Sequence, residues 1–210
     1  MRRPCLWLIL CLAVVPLWAN SEIHTLIVQP DDGRAAILGA LNGATQSITL
    51  TIYEISDPQI DAALSAAKRR GVDVKVIYNY YSFYHMGRWA AMQPRIDALD
   101  AAGITTRKAD STFRVTHQKT FTIDGRTSLI MTFNLQPNYF GQTRDFGIIT
   151  TDTNEVAEIM NVFAADWDYQ PAAPTLSSLV WSPVNSRGKM LGLIRTARKT
   201  LEIYNEEAED

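Results

Sequence analysis

"HQKTFTIDGRTSLIMTFN", residues 117–134, places two apolar, β-branched runs on either side of Asp124-Gly125. An Asp-Gly pair between such runs is a strong hairpin signal, because both turn positions favour positive φ. With a two-residue loop, Ile123 faces Arg126, His117 faces Thr132 and Lys119 faces Ile130. Directly opposed side chains share a sheet face, and so do residues two apart. This register predicts that His117, Lys119, Thr132 and Asn134 converge at the open end of the hairpin. An imidazole, a cation, a hydroxyl and an amide gathered on one face suit a phosphate group.

Outward from the hairpin, strand and helix signals alternate. "HTLIV" (24–28), "SITLTIY" (47–53), "VDVKVIY" (72–78) and "FGIITT" (146–151) read as strands. "DGRAAILGALNGA" (32–44), Pro58 through Arg70, "QPRIDALDAAG" (93–103, followed by "ITTRK") and 154–167 read as helices. Pro58 suits a first helical turn and Gly71 a helix stop. Strands alternating with helices predict an α/β layered fold with a mixed β-sheet flanked by helices.

The 210 residues, 47% hydrophobic and 20% charged, have an ordinary globular balance. A formal net charge of -2 excludes a strong global field for polyanions. The opening "MRRPCLWLILCLAVVPLWANSE" has a basic start, an apolar run of eleven from Cys5 to Val15, and a small residue at Ala19. That pattern predicts a signal peptide over 1–19, since a bilayer span needs roughly 20 apolar residues. Cleavage would remove both cysteines, Cys5 and Cys11, and leave 18 basic against 22 acidic side chains. The mature protein is then exported (periplasmic or secreted), mildly acidic and free of thiols.

After the 20–168 domain, "YQPAAPTLSS" (169–178) reads as a linker. The segment beyond the linker repeats the domain's start. Residues 26–57 lie over 179–210 without gaps at an offset of 153, and eight of the 32 positions are identical. Pro30/Pro183, Arg34/Arg187, Gly39/Gly192 and Glu54/Glu207 are among them. Residues 179–210 are therefore expected to be the incomplete start of a second repeat, whose own copy of the His117 motif would fall near 270.

Each polar group of the hairpin has a distinct chemistry. An imidazole can attack phosphorus or shuttle a proton near neutral pH. Lys119 and Asn134 can hold non-bridging oxygens and stabilise the charge that builds on them. Asp145, in "TRDFGII", starts the next strand and is placed to orient an imidazole. No metal or other cofactor is implied: His24, His85 and His117 show no ligand spacing.

"HQKTFTID" resembles the HxKxxxxD signature of the phospholipase D superfamily, and "TFN" resembles the end of its G-S/T-x-N element. "AAKRRGVDVKVIY" before it is similar as well. The resemblance covers about 23–168 as one full repeat and 179–210 as the opening of another. Two departures stand out, Met131 where the family usually has Gly and Asp145 where it often has Glu. The resemblance implies a two-step mechanism with His117 as nucleophile and a phosphohistidine intermediate. Lys119, Thr132 and Asn134 would bind the phosphate, and Asp124 would be catalytic or a turn residue. A complete site of this family needs two such motifs, the second from the missing repeat or from a homodimer partner. The chain alone is then expected to hold half of the active site.

"YNYYSFYHMGRW" (78–89) follows the third strand, at the sheet end where α/β sites usually form. Its aromatics suit a membrane interface or acyl wall, base stacking, or simple packing on the sheet. The acidic mature balance lacks the basic stripe of a nucleic-acid binder. The expected substrate is therefore a phospholipid, with peripheral membrane contact; nucleic acid, cut by an exported nuclease, is the alternative, and a non-catalytic phosphate- or membrane-binding remnant a third reading.

Overall fold

Two periods set the architecture, a two-residue alternation in the strands and a helical repeat between them. The computed structural model describes residues 24–205, so the expected signal peptide, Cys5 and Cys11 lie outside the described residues. The strands are β1 (His24–Val28), β2 (Ser47–Ile52), β3 (Asp73–Tyr78), β4 (Thr105–Lys108), β5 (Lys119–Ile123), β6 (Thr127–Met131) and β7 (Phe146–Thr150). They form one seven-stranded sheet in the order β1-β7-β6-β5-β2-β3-β4. β2, β3 and β4 run parallel to one another, while β5, β6, β7 and β1 join antiparallel, which makes the mixed sheet expected from the sequence.

The helices are α1 (Ala35–Gly43), α2 (Pro58–Arg69), α3 (Tyr81–His85), α4 (Trp89–Ala101), α5 (Thr153–Trp167) and α6 (Ser186–Thr196). α2 starts where Asp57 accepts from the Gln59 and Ile60 amides, with Pro58 in the first turn. Asp152 caps α5 in the same way through the amides of Asn154 and Glu155. Asp57 is fully buried and carries the Arg34 guanidinium, so one carboxylate ties the start of α1 to that of α2. α4 starts four residues before the expected 93 and runs through Pro94, which cannot donate within the helix. Packing outweighs that loss, since Trp89 stacks on Tyr78 at 5.6 Å and meets Tyr80 edge-on at 4.8 Å. Among the described residues no helix is long and apolar enough to cross a membrane.

One sheet face carries Ile48, Leu50, Val74, Val76, Phe121 and Leu129 and packs with α1, α2 and α4 into the main core. The other carries Thr49, Thr51, Thr120, Thr122, Ser128 and Thr150, with α5 lying against β5 and β6.

The hairpin shows how one residue redirects side chains. Asp124 and Gly125 both have positive φ, and the Arg126 amide donates to the Ile123 carbonyl at 3.0 Å, as the Asp-Gly pair predicts. The ladder nevertheless pairs Ile123 with Thr127 and Thr120 with Ile130. Arg126 is left outside it, so the expected register is displaced by one, which exchanges faces beyond the turn.

In the second-repeat region, α6 covers the positions that match α1, but none of its residues is buried. Met190 and Ile194, the counterparts of the buried Ile37 and Leu41, are 55% and 42% exposed. Residues 200–205, which match β2, form no strand. The Tyr204 ring of this segment meets Phe146 of β7 edge-on at 5.4 Å, but β7 already pairs with β1 and β6 on its two sides.

Candidate active site

β5 ends its pairing with β2 at Ile52↔Lys119, and this end of the sheet is where the polar residues gather. Lys119 is only 5% exposed, and its Nζ donates to the His117 carbonyl at 3.0 Å. The same ammonium lies 5.5 Å from the centre of the Tyr53 ring, just past the end of β2. The exposed His117 imidazole meets Tyr53 edge-on, with ring centres 4.4 Å apart. Tyr53 leans in turn on Phe83 of α3 at 4.9 Å. The loop leading to His117 is held by the buried Asn79 just after β3, whose side-chain oxygen accepts from the Thr116 amide.

Asn134 arrives from β6 by a separate route. The Leu135 amide donates to the Glu54 carbonyl, and the Leu135 carbonyl accepts from the Ser56 and Asp57 amides. These bonds fix residues 133–135 beside the end of β2, next to Tyr53. Asn134 is 5% exposed, its Nδ2 donates to the Tyr139 hydroxyl at 3.3 Å, and its Oδ1 has no hydrogen-bond partner. An acceptor buried without a partner costs about 1–3 kcal/mol.

Three expected members do not join this cluster. Asp124 lies at the far end of β5, about 16 Å from Lys119 at ~3.3 Å per residue. Its carboxylate accepts from the Thr45, Gln46 and Ser47 amides and from the Thr45 hydroxyl. Partial desolvation opposes the charge, but these four donors outweigh it and hold the carboxyl at about 2. Asp124 therefore anchors the hairpin turn to the start of β2 and stands apart from the cluster at Lys119. Thr132, expected opposite His117, turns to the other side because of the one-residue displacement at Arg126. Its hydroxyl donates to Asp145 at 2.8 Å and accepts from the Phe146 amide. Asp145 consequently braces Thr132 where it was expected to orient the imidazole. Met131, at the position where Gly was expected, pairs with Gly147, and its Cγ lies 3.4 Å from where a Cβ at 147 would stand. The missing side chain on β7 makes room for the extra one on β6.

Tyr53, Asn79 and Tyr139 belong to the site without having been expected there. Tyr53 and Asn79 each directly follow a strand, β2 and β3, at the end where ligands bind in α/β sheets. That position was their one signal in the sequence. The aromatic stretch divides its work: Phe83 is buried against Tyr53, whereas Tyr84 and Met86 are more than half exposed beside it.

The cluster agrees with what comparison with known proteins finds. The domain family described as "Cardiolipin synthase, PLD-like domain" matches residues 37–167. A mitochondrial cardiolipin hydrolase of Xenopus laevis is 31% identical over 144 residues, which are 68% of this chain and 65% of that protein. Cardiolipin synthase A of Pseudomonas fluorescens is 27% identical over 173 residues, covering 73% of this chain and 34% of the synthase. The chain thus spans less than two thirds of the length of either relative. In fold it is similar to Nuc, a phospholipase D family member from Salmonella typhimurium, with a TM-score of 0.60 at 23% identity, over 72% of this chain and 98% of that one. With the motif, the sheet and the matched domain in agreement, the chain belongs to the phospholipase D superfamily.

Proposed function

We propose that the chain supplies one half of a phosphodiesterase site that works through a phosphohistidine. A His117 ring nitrogen attacks phosphorus, and the bond to the leaving alcohol breaks. A second motif's histidine gives that alcohol its proton, then takes one from water, which attacks the phosphohistidine and releases His117. The observation that carries this reading is Lys119, a cation held at 5% exposure that bonds the His117 carbonyl and shares the Tyr53 ring with the exposed His117 imidazole. Burying a lysine is costly, and a phosphoryl anion at this place returns part of that cost. Asn134 completes the cradle. With its amide turned over, the Tyr139 hydroxyl would donate to Oδ1 and both N–H groups would face phosphoryl oxygen. Asp124 acts only on the scaffold, and the Thr132–Asp145 pair stiffens the entry to β7.

The substrate we infer is a phospholipid, hydrolysed or transferred at its head group. The cardiolipin-related names of the relatives support it, as do the exposed Tyr84 and Met86 beside the site, which suit peripheral contact with a lipid surface. The leader-like first residues fit an exported form. The second motif would come from a completed second repeat or from a homodimer partner. A monomer of this chain should accordingly show little turnover. Trapping tests the reading: the protein is incubated separately with phosphate-labelled phosphatidylcholine, cardiolipin and DNA, then quenched with acid-free denaturant. Covalent label from lipid on the wild type, absent in His117→Ala, is the expected result. Label that survives the substitution would refute His117 as nucleophile, and label from DNA alone would point to the nuclease.

A further inference from the structure

A cavity of about 1080 Å³ runs from His117 along the threonine-rich face of the sheet, under α5. Ile130 forms its floor, Ile159 and Val162 of α5 its roof, and Leu179, Trp181 and Val184 its far wall. That far wall belongs to a fixed strap. The buried Glu158 accepts from the Thr175 amide at 2.6 Å, the Leu176 amide at 2.7 Å and the Trp181 indole at 3.0 Å. Lys189 of α6 donates to the carbonyls of Leu176 and Leu179. The expected linker is thus clamped onto α5, and the space it encloses is built into the fold. The charges on the wall select against an anion going deep. Asp110 and Asp166 both face the cavity, and burial, with Asp110 adding to it, pushes the Asp166 carboxyl up to about 6. The cation Arg114 lines the same cavity in the loop that leads to His117.

We propose that this cavity binds a hydrocarbon chain of the lipid whose phosphate sits at His117. The proposal rests on the reading of His117 as a phosphodiester site and adds to it where the rest of the substrate goes. A largely apolar space that opens beside His117 and carries carboxylates on its wall accepts an acyl chain and repels a polynucleotide. The lipid's polar end then stays at the mouth, near Arg114 and His117.

Binding of a pyrene-labelled monoacyl phosphoglycerol to the full chain, read by fluorescence, tests this without any need for turnover. Saturable binding is expected, weakening steeply as the acyl chain is shortened. Ile159→Trp and, from the sheet side, Ile130→Trp fill the cavity and should each weaken binding by roughly 10-fold through lost apolar contact. Leu193→Trp, on the exposed side of α6, should leave it unchanged. Thermal melts identify any variant that fails to fold, and two variants from opposite walls keep the outcome decisive. The proposal is overturned if the wild type shows no saturable binding, if both folded tryptophan variants bind like the wild type, or if the chain dimerises and the dimer excludes the probe. Intact acyl binding without label on His117 would count against the phosphohistidine alone. Label from lipid without acyl binding would count against the cavity alone.

Discussion

The two faces of the sheet are made by the same strands and do opposite work. On one, Ile48, Leu50, Phe121 and Leu129 are fully buried under α1, α2 and α4. On the other, the neighbours Thr49, Thr120, Thr122 and Ser128 are buried hydroxyls, Thr120 and Ile130 line a large cavity, and Leu26 and Ile148 are left 59% and 45% exposed. One face is filled with aliphatic and aromatic side chains, and the other sets buried hydroxyls under α5 and leaves a cavity beside Thr120 and Ile130. The division is written into "SITLTI" and "KTFTI", where Ile, Leu and Phe alternate with Thr. A β-branched hydroxyl residue keeps strand propensity without adding to a close-packed core.

The sharpest attempt to break this contrast is to truncate each face in turn. Phe121→Ala should cost about 3–5 kcal/mol, seen as a large drop in the urea midpoint. Its neighbour Thr122 bonds Ser128 at 2.8 Å, so the double change Thr122→Val with Ser128→Ala should be nearly neutral, because both partners leave together. Comparable losses on the two faces would end the distinction. The turn end of the hairpin offers a smaller effect. Asp124→Ala should cost about 1–2 kcal/mol, since its donors lose their acceptor at a largely solvated place. The folded carboxyl sits at about 2, below its ordinary 3.8. Its contribution is therefore complete above about pH 4 and drains away as pH falls toward 2. Label on His117 per folded molecule should not change, which separates this end of β5 from the other. The smallest effect belongs to the cavity face. Asp166 rises from 3.8 to about 6, so the folded state increasingly suffers from its ionisation as pH climbs through that interval. Asp166→Asn should raise the melting temperature by a few degrees at pH 7.5, or about 1 kcal/mol after solvent screening, and do nothing near pH 4.

Most of the scaffold was legible because its signals are local. β1 forms over the five residues of its apolar run, and α2 starts where Asp57 and Pro58 place it. The site was legible in its chemistry at His117, Lys119 and Asn134 but not in its arrangement. Arg126 outside the ladder moves Thr132 to the wrong side, and nothing in "DGRT" distinguishes that from a plain two-residue loop. Tyr53 and Asn79 come from two other strands, and only the parallel pairing of β2 with β3 brings them together. The strap was missed for a related reason: "YQPAAPTLSS" is flexible by composition, and its order depends on Glu158, 17 and 18 residues before the amides that it accepts from.

The anchoring of Asp124 gives the signature's spacing a mechanical meaning. Lys119 pairs with Ile52 at one end of β2, while Asp124 grips the amides around Ser47 at the other. The interval from Lys to Asp is therefore a ruler, cut to the length of β2. Lengthen or shorten it by one residue and the hold at Ser47 can be kept only by rolling β5 over, which would swing Lys119, and His117 with it, away from Tyr53 to the opposite side of the sheet.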